Sequence, residues 1–247
     1  MIVYAYGPAW GCADLSPFCV KLQTWLRMAG LPYESRVGNV RKMPKRKLPA
    51  VELDGQVTGD SALIIGQLRQ RHGDPLGDDT LDPGTRAQAH ALRAMIEAEL
   101  YFAAAYLRWA DEDAWHVYEP EISGYIRRVG VPRLLAPLAA RAARREVLAQ
   151  LHAQGMGRHT AAQVGAIGVE CLTALADYLG DKPFMLGAEP RTLDATVFAV
   201  VHCLLLAPFE SPLTDCLRAR PNLVAYHDRV LARWWPELVA APDRAAA

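Results

Sequence analysis

Residues 47–61 read KLPAVELDGQVTGDS, and the way this stretch folds decides the architecture of the first third of the chain. Pro49 cannot donate to a sheet ladder, so it belongs at the mouth of a strand rather than inside one. Spacing alone leaves the Leu48-Pro49 bond open between cis and trans. The apolar run that follows ends in Asp54-Gly55, a strong two-residue hairpin signal, and Gln56-Val57-Thr58 forms the return strand. A helix then opens at Ser61, carries Leu63, Ile64, Ile65 and Leu68, and ends near Gly73.

Working outward from this hairpin, IVYAY at residues 2–6 is a short strand, broken by Gly7 to Gly11. LSPFCVK at 15–21 starts a helix, with Ser16 as N-cap and Pro17 at the first helical position. Phe18, Leu22, Trp25, Leu26 and Ala29 repeat at nearly helical spacing, while Lys21, Gln23, Thr24 and Arg27 are expected on the opposite, polar side. Gly30-Leu31-Pro32 stops the helix, and Tyr33 to Val37 is a weaker strand. The order β-α-β, loop, β-β-α is that of a thioredoxin-like domain; it has no G-x-G-x-x-G turn for a dinucleotide.

Residues 74–84, DPLGDDTLDPG, have the composition of a linker. Beyond them no convincing strand appears. Apolar stripes at Leu92, Ile96, Leu100, Ala103 and Leu107, and at Val164, Ile167, Cys171, Leu175 and Tyr178, predict helices. Thr160 and Gln163 form a capping box before the second stripe, which closes at Gly180. Further helices are expected from Thr192 and from Asn222 to Trp234. The expected organisation is α/β at residues 1–75 and all-helical at 76–247.

Bulk composition excludes several function classes. The 247 residues carry 27 basic and 27 acidic side chains, so no global field favours nucleic acid or an anionic membrane. The basic runs lack interleaved aromatics. Five cysteines, Cys12, Cys19, Cys171, Cys203 and Cys216, are an odd number without a C-x-x-C, which argues against a disulfide framework or a zinc site and suits a reducing compartment. MIVYAYG lacks the features of a signal peptide, and the apolar run from Ala195 to Phe209 is too short for a bilayer span. A cytoplasmic protein with no membrane span is expected.

Taken together, the S-P-F-C helix start, K-L-P-A-V-E-L-D-G, G-D-S-A-L-I-I and the helical region that follows resemble the glutathione S-transferase superfamily. SPFCVKLQTWLRMAGLPYE, RKLPAVELDG and GDKPFMLGAEPRTLDATVFAVV are similar to its failed-axon-connections and metaxin-like branch, bacterial members included. That resemblance covers residues 1 to about 234. It implies a thioredoxin-like domain joined to a helical one, glutathione as co-substrate, no metal, and a homodimer. It also implies individual roles. Ser16 would contact the glutathione sulfur, and Leu48, before Pro49, would pair its backbone with the cysteinyl unit. Asp60 and Ser61 would receive the γ-glutamyl end, and Lys47, Lys45 or Arg46 the glycyl carboxylate.

The physical chemistry of these positions agrees with the implied roles. Each unit by which a thiol pKa falls below about 8.5 requires about 1.4 kcal/mol of preference for the thiolate. A helix N-terminus supplies roughly 0.3–2 kcal/mol and a hydroxyl donating to an anion about 1.5–3. Together they make a usable nucleophile near neutral pH. Each residue also has a plainer reading: Ser16 as a cap, Asp60-Ser61 as a cap, Cys19 as a packed thiol although its place in the first turn can lower its pKa. Tyr4 and Tyr6 read first as core aromatics. His116 and His202 have no visible partner for metal or triad chemistry. The resemblance also implies a reciprocal cap in the helix from Thr192 with an aspartate at 195, where Ala195 stands; Asp194 lies one earlier.

Trp10, Tyr101, Arg108 and Trp109 form the expected pocket for an apolar electrophile, with Glu97 on the same helix and Trp115, His116 and Tyr118 close behind. The function expected is transfer of glutathione thiolate to that electrophile. Two alternatives stand beside it: a non-catalytic interaction protein on the same fold, and a glutathione-dependent thiol reductase acting through Cys19.

Overall fold

The computed structural model describes residues 1–239. Its N-terminal part is a four-stranded sheet of β1 (Ile2–Ala5), β2 (Glu34–Val37), β3 (Ala50–Leu53) and β4 (Gln56–Gly59), in the order β2-β1-β3-β4. β1 runs parallel to β2 and antiparallel to β3, and β3 pairs antiparallel with β4. The β1–β2 crossover carries helix α1 (Pro17–Met28), and α2 (Ser61–His72) follows β4. Asp54 and Gly55 both take positive φ, 52° and 77°, the conformation a two-residue hairpin needs. The Leu48-Pro49 bond is cis, and the β3 ladder begins just after it at Ala50.

The remainder is helical: α3 (Pro83–Met95), α4 (Tyr101–Trp109), α5 (Glu112–Arg128), α6 (Ala136–Gln154), α7 (Ala161–Leu179), α8 (Thr192–Leu206), α9 (Pro212–Arg218), α10 (Pro221–Trp234) and α11 (Pro236–Val239). A π-helical turn, Ile96–Leu100, joins α3 to α4, so the single stripe read from Leu92 to Leu107 is interrupted by one wide turn. The Thr160–Gln163 box forms as expected, with reciprocal bonds of 3.0 and 3.3 Å. At α8 the cap sits one residue earlier than the sequence suggests. Asp194 accepts the Arg191 amide at 2.8 Å, so Arg191 is the N-cap and Asp194 the third residue inside.

α1 corrects the amphipathic expectation. Lys21, Gln23 and Thr24, expected on a polar face, are 2%, 5% and 0% exposed. The helix is enclosed because one side packs on the sheet and α2 while the other meets α8 and its neighbours. Each polar side chain is satisfied there. Lys21 pairs with Glu97 at 2.6 Å, Thr24 accepts from Trp235 Nε1 at 3.0 Å, and Gln23 accepts from Tyr33 at 3.4 Å. The segment read as a linker is likewise docked: Arg191 donates to the Leu76 carbonyl at 2.6 Å, and the Thr192 amide to Asp78 at 3.2 Å.

Candidate functional site

The β1–α1 loop brings Ser16 to the start of α1. Ser16 has extended backbone (φ −107°, ψ 124°) as an N-cap should, yet its hydroxyl makes no cap bond. Pro17 contributes no N–H, and the amides of Cys19 and Val20 both bond the Ser16 carbonyl at 3.0 Å. The hydroxyl therefore takes up no backbone amide of the helix it caps and stands at its positive end, with the Cys19 thiol as its neighbour.

Asp14 fixes this loop. Its two oxygens accept the Gly7 amide at 2.7 Å and the Ser16 amide at 2.9 Å, tying strand end to helix start. Burial pushes the Asp14 carboxyl up from 3.8 to about 7, against the pull of those two amides. Cys19, one turn into α1, is fully buried, and burial with the nearby Asp14 charge holds its thiol well above the ordinary range. Cys19 is thus packed out of contact with solvent, the plainer of its two readings.

A second, unforeseen set of contacts reaches the same loop from the helical side. The Ala13 amide donates to His202 Nε2 at 3.3 Å, His202 Nδ1 contacts His227 Nε2 at 3.0 Å, and His227 Nδ1 contacts Asp228 at 2.9 Å. With the backbone N–H as fixed donor, this network assigns the proton to Nδ1 of both neutral rings. Phe198 stacks on the two imidazoles at 5.0 and 5.4 Å, and burial lowers the His227 pKa. Beside them the Cys12 and Cys203 sulfurs lie 3.5 Å apart. Two histidines 25 residues apart leave no local signature, so sequence could assign His202 no role. Among the described residues no cluster of three or more His, Cys, Asp or Glu could hold a metal ion.

The hairpin stretch meets this loop through Leu48, which packs in one cluster with Leu15 and Cys19. Lys45, Arg46 and Lys47 are exposed, the first two with positive φ of 58° and 52°, and lead into buried Leu48. Gly38 permits the approach there, since a Cβ on it would sit 2.8 Å from Tyr4 Cβ and 2.9 Å from Leu48 Cδ2. Asp60 caps α2, accepting the Ala62 and Leu63 amides at 3.0 and 3.2 Å through one oxygen, Oδ1. Its φ of 88° is rare for a non-glycine residue, while Ser61 beside it is buried.

Of the expected electrophile pocket, Trp10, Arg108 and Trp109 gather around Tyr118. Trp10 stands 5.7 Å and Trp109 5.0 Å from the Tyr118 ring, with Phe209 6.5 Å from Trp10. Trp10 itself has φ 51°. Arg108 is 8% exposed, over the Tyr118 and Phe209 rings at 5.2 and 5.8 Å, and its Nη1 reaches the Leu15 carbonyl at 3.5 Å. Tyr101 lies apart, edge-on to Phe18 at 4.7 Å, where it lines a crevice with Pro17, Lys21 and Glu97. Phe209, in the α8–α9 loop, joins this aromatic cluster, and sequence reading did not single it out.

A mixed sheet with its first helix starting at a serine whose hydroxyl makes no cap bond, covered by a helical bundle that supplies aromatics and an arginine, has the layout of a glutathione S-transferase. Residues 17–114 match the glutathione S-transferase N-terminal domain and 168–230 the C-terminal domain of such enzymes. The chain belongs to the glutathione S-transferase family. It is 34% identical to the isoprene-epoxide–glutathione S-transferase of Rhodococcus sp. strain AD45, over 92% of this chain and 96% of that one. It is 31% identical to Failed axon connections of Drosophila melanogaster over 91% of this chain, spanning 55% of that longer protein. Metaxin-2 of Mus musculus is 29% identical over 85% of this chain and 78% of its own. Among solved structures, the fold is shared with a Methylobacterium radiotolerans glutathione S-transferase in complex with glutathione sulfonate (TM-score 0.58, 20% identity, covering 92% and 90% of the two chains). A β-etherase of Sphingobium sp. strain SYK-6 shares it too (TM-score 0.59, 18% identity, covering 97% and 98%).

Proposed function

We propose that this protein is a glutathione transferase, with residues 1–75 as its glutathione-binding part and 76–247 as the helical part that holds the second substrate. The observation that carries the reading is the Ser16 hydroxyl, which makes no cap bond at the positive end of α1. In this reading Ser16 donates to the glutathione sulfur and, with the helix N-terminus, keeps it ionised for attack. The Leu48 backbone pairs with the cysteinyl unit, Pro49 shapes that strand entrance, and Asp60 and Ser61 receive the γ-glutamyl end through the N-terminus of α2. Lys47 and its basic neighbours meet the glycyl carboxylate. The electrophile lies against Trp10, Arg108 and Trp109, with Tyr101 at the α1 side. A small epoxide is the class of electrophile favoured by the likeness to the Rhodococcus transferase, whose name carries one. We place the protein in the cytoplasm as a homodimer.

Calorimetric titration with glutathione followed by a conjugation assay tests this. Saturable heat at millimolar or lower glutathione, with turnover of an electrophile, is the expected result. Absence of binding heat and of any thermal shift would instead favour a non-catalytic role, the reading that the metaxin likeness suggests.

A further inference from the structure

The one other lysine or arginine buried among the described residues, Lys21, is held by an acidic partner, Glu97. Arg108 is different. Its Nε atom is buried with no hydrogen-bond partner, and its Nη1 makes a single long contact, 3.5 Å, to a carbonyl. No carboxylate among the described residues pairs with it. Taking a guanidinium out of water without an anion is costly, and the Tyr118 and Phe209 rings offset only part of that cost. The carbonyl it touches belongs to Leu15, the residue before Ser16. The cation is therefore held beside the residue proposed to contact the thiolate, in a box walled by Trp10, Tyr118 and Phe209.

A fixed, desolvated cation whose Nε–H is unspent suits charge that develops during a reaction rather than charge already present. Attack of a thiolate on an alkyl halide sends the electron pair away on a departing ion. Attack on an epoxide leaves it on an oxygen still attached to the substrate, within reach of a fixed donor. We propose that Arg108 is a catalytic residue that hydrogen-bonds this oxygen, and that the second substrate is accordingly an epoxide. This rests on the transferase reading above. The sulfur–carbon bond forms as the carbon–oxygen bond of the ring breaks, and the electron pair stays on oxygen as an alkoxide beside Arg108. Water then supplies the proton that gives the hydroxy-thioether, matching the proton the thiol released to solvent on ionising. Arg108 stays protonated throughout.

The test compares an aryl glycidyl ether with 4-nitrobenzyl chloride, each with glutathione, in wild type, Arg108→Gln and Arg108→Lys. For Arg108→Gln, kcat on the epoxide is expected to fall about a hundredfold, the effect typical of losing one oxyanion donor, with less than a tenfold loss on the chloride. Arg108→Lys keeps a cation and should fall between wild type and Gln on the epoxide only. Glutathione affinity by calorimetry should be unchanged in both, which also reports that they fold; if Gln fails to fold, the Lys variant decides. Equal losses on the two substrates, or an epoxide rate unaffected by the substitutions, overturn the role of Arg108. Wild-type turnover of the chloride without the epoxide overturns this inference and leaves the transferase reading standing. Glutathione binding with turnover of neither overturns both.

Discussion

Asp14 and Ser16 show how much of the site is settled by single side chains. Ser16→Ala removes a hydroxyl that makes no cap bond to the backbone of its own helix. We expect kcat/KM for conjugation to drop tenfold or more while the thermal midpoint moves little; unchanged kinetics would take Ser16 out of the mechanism. Asp14 behaves differently because its carboxyl is raised to about 7 from 3.8. The folded state holds that proton more tightly than the unfolded chain does. Its contribution to stability is thus complete below about pH 4 and is lost as pH rises through about 7. Across that window wild type should lose thermal stability relative to Asp14→Asn, which cannot titrate; parallel curves in a pH series of melting scans would refute it. Sequence showed Ser16 because Ser-Pro before an apolar period has a local meaning. It gave no hint of Asp14, whose partners at Gly7 and Ser16 are fixed only by the folded loop.

At the scale of elements, the strands, the Asp54-Gly55 hairpin and the starts of α1, α2 and α7 were legible because turn and cap chemistry acts within a few residues. α1 was legible in extent and misread in surface. Helical period sorts side chains by local amphipathicity, but Lys21, Gln23 and Thr24 are buried by partners in other elements, Glu97, Tyr33 and Trp235, between 10 and 211 residues away in sequence. The cap of α8 was displaced by one residue for a related reason. Asp194 serves the Met185 amide at 2.8 Å and the Tyr226 hydroxyl at 3.1 Å as well as its own helix, and these tertiary bonds select the register. Asp194→Ala would orphan the Met185 and Arg191 amides, while Tyr226 would keep its bond to the backbone carbonyl of residue 194. A loss of about 3 kcal/mol or more in urea unfolding is expected, and a loss under 1 kcal/mol would show that water replaces the carboxylate.

For the whole molecule, the sheet and the bundle meet at the β1–α1 loop, which Asp14 grips from one side and His202 from the other. His202→Leu should leave the Ala13 amide without its acceptor and cost about 1–3 kcal/mol by chemical denaturation. His202→Gln, which can still accept, should recover much of it, and equal losses in the two variants would count against the bond. This arrangement could not be read in advance, since it depends on α8 and α10 docking against a loop nearly 200 residues earlier. The π turn at Ile96–Leu100 has its own bearing on the site. That extra residue acts as a phase setting between two halves of one rod. Deleting a single residue from it would close that wide turn to regular pitch and leave the rod beyond nearly in place, whereas the same deletion inside α4 would swivel everything after it by about 100°. The wide turn is thus the one stretch of the rod that can lose a residue without turning Arg108 away from Leu15.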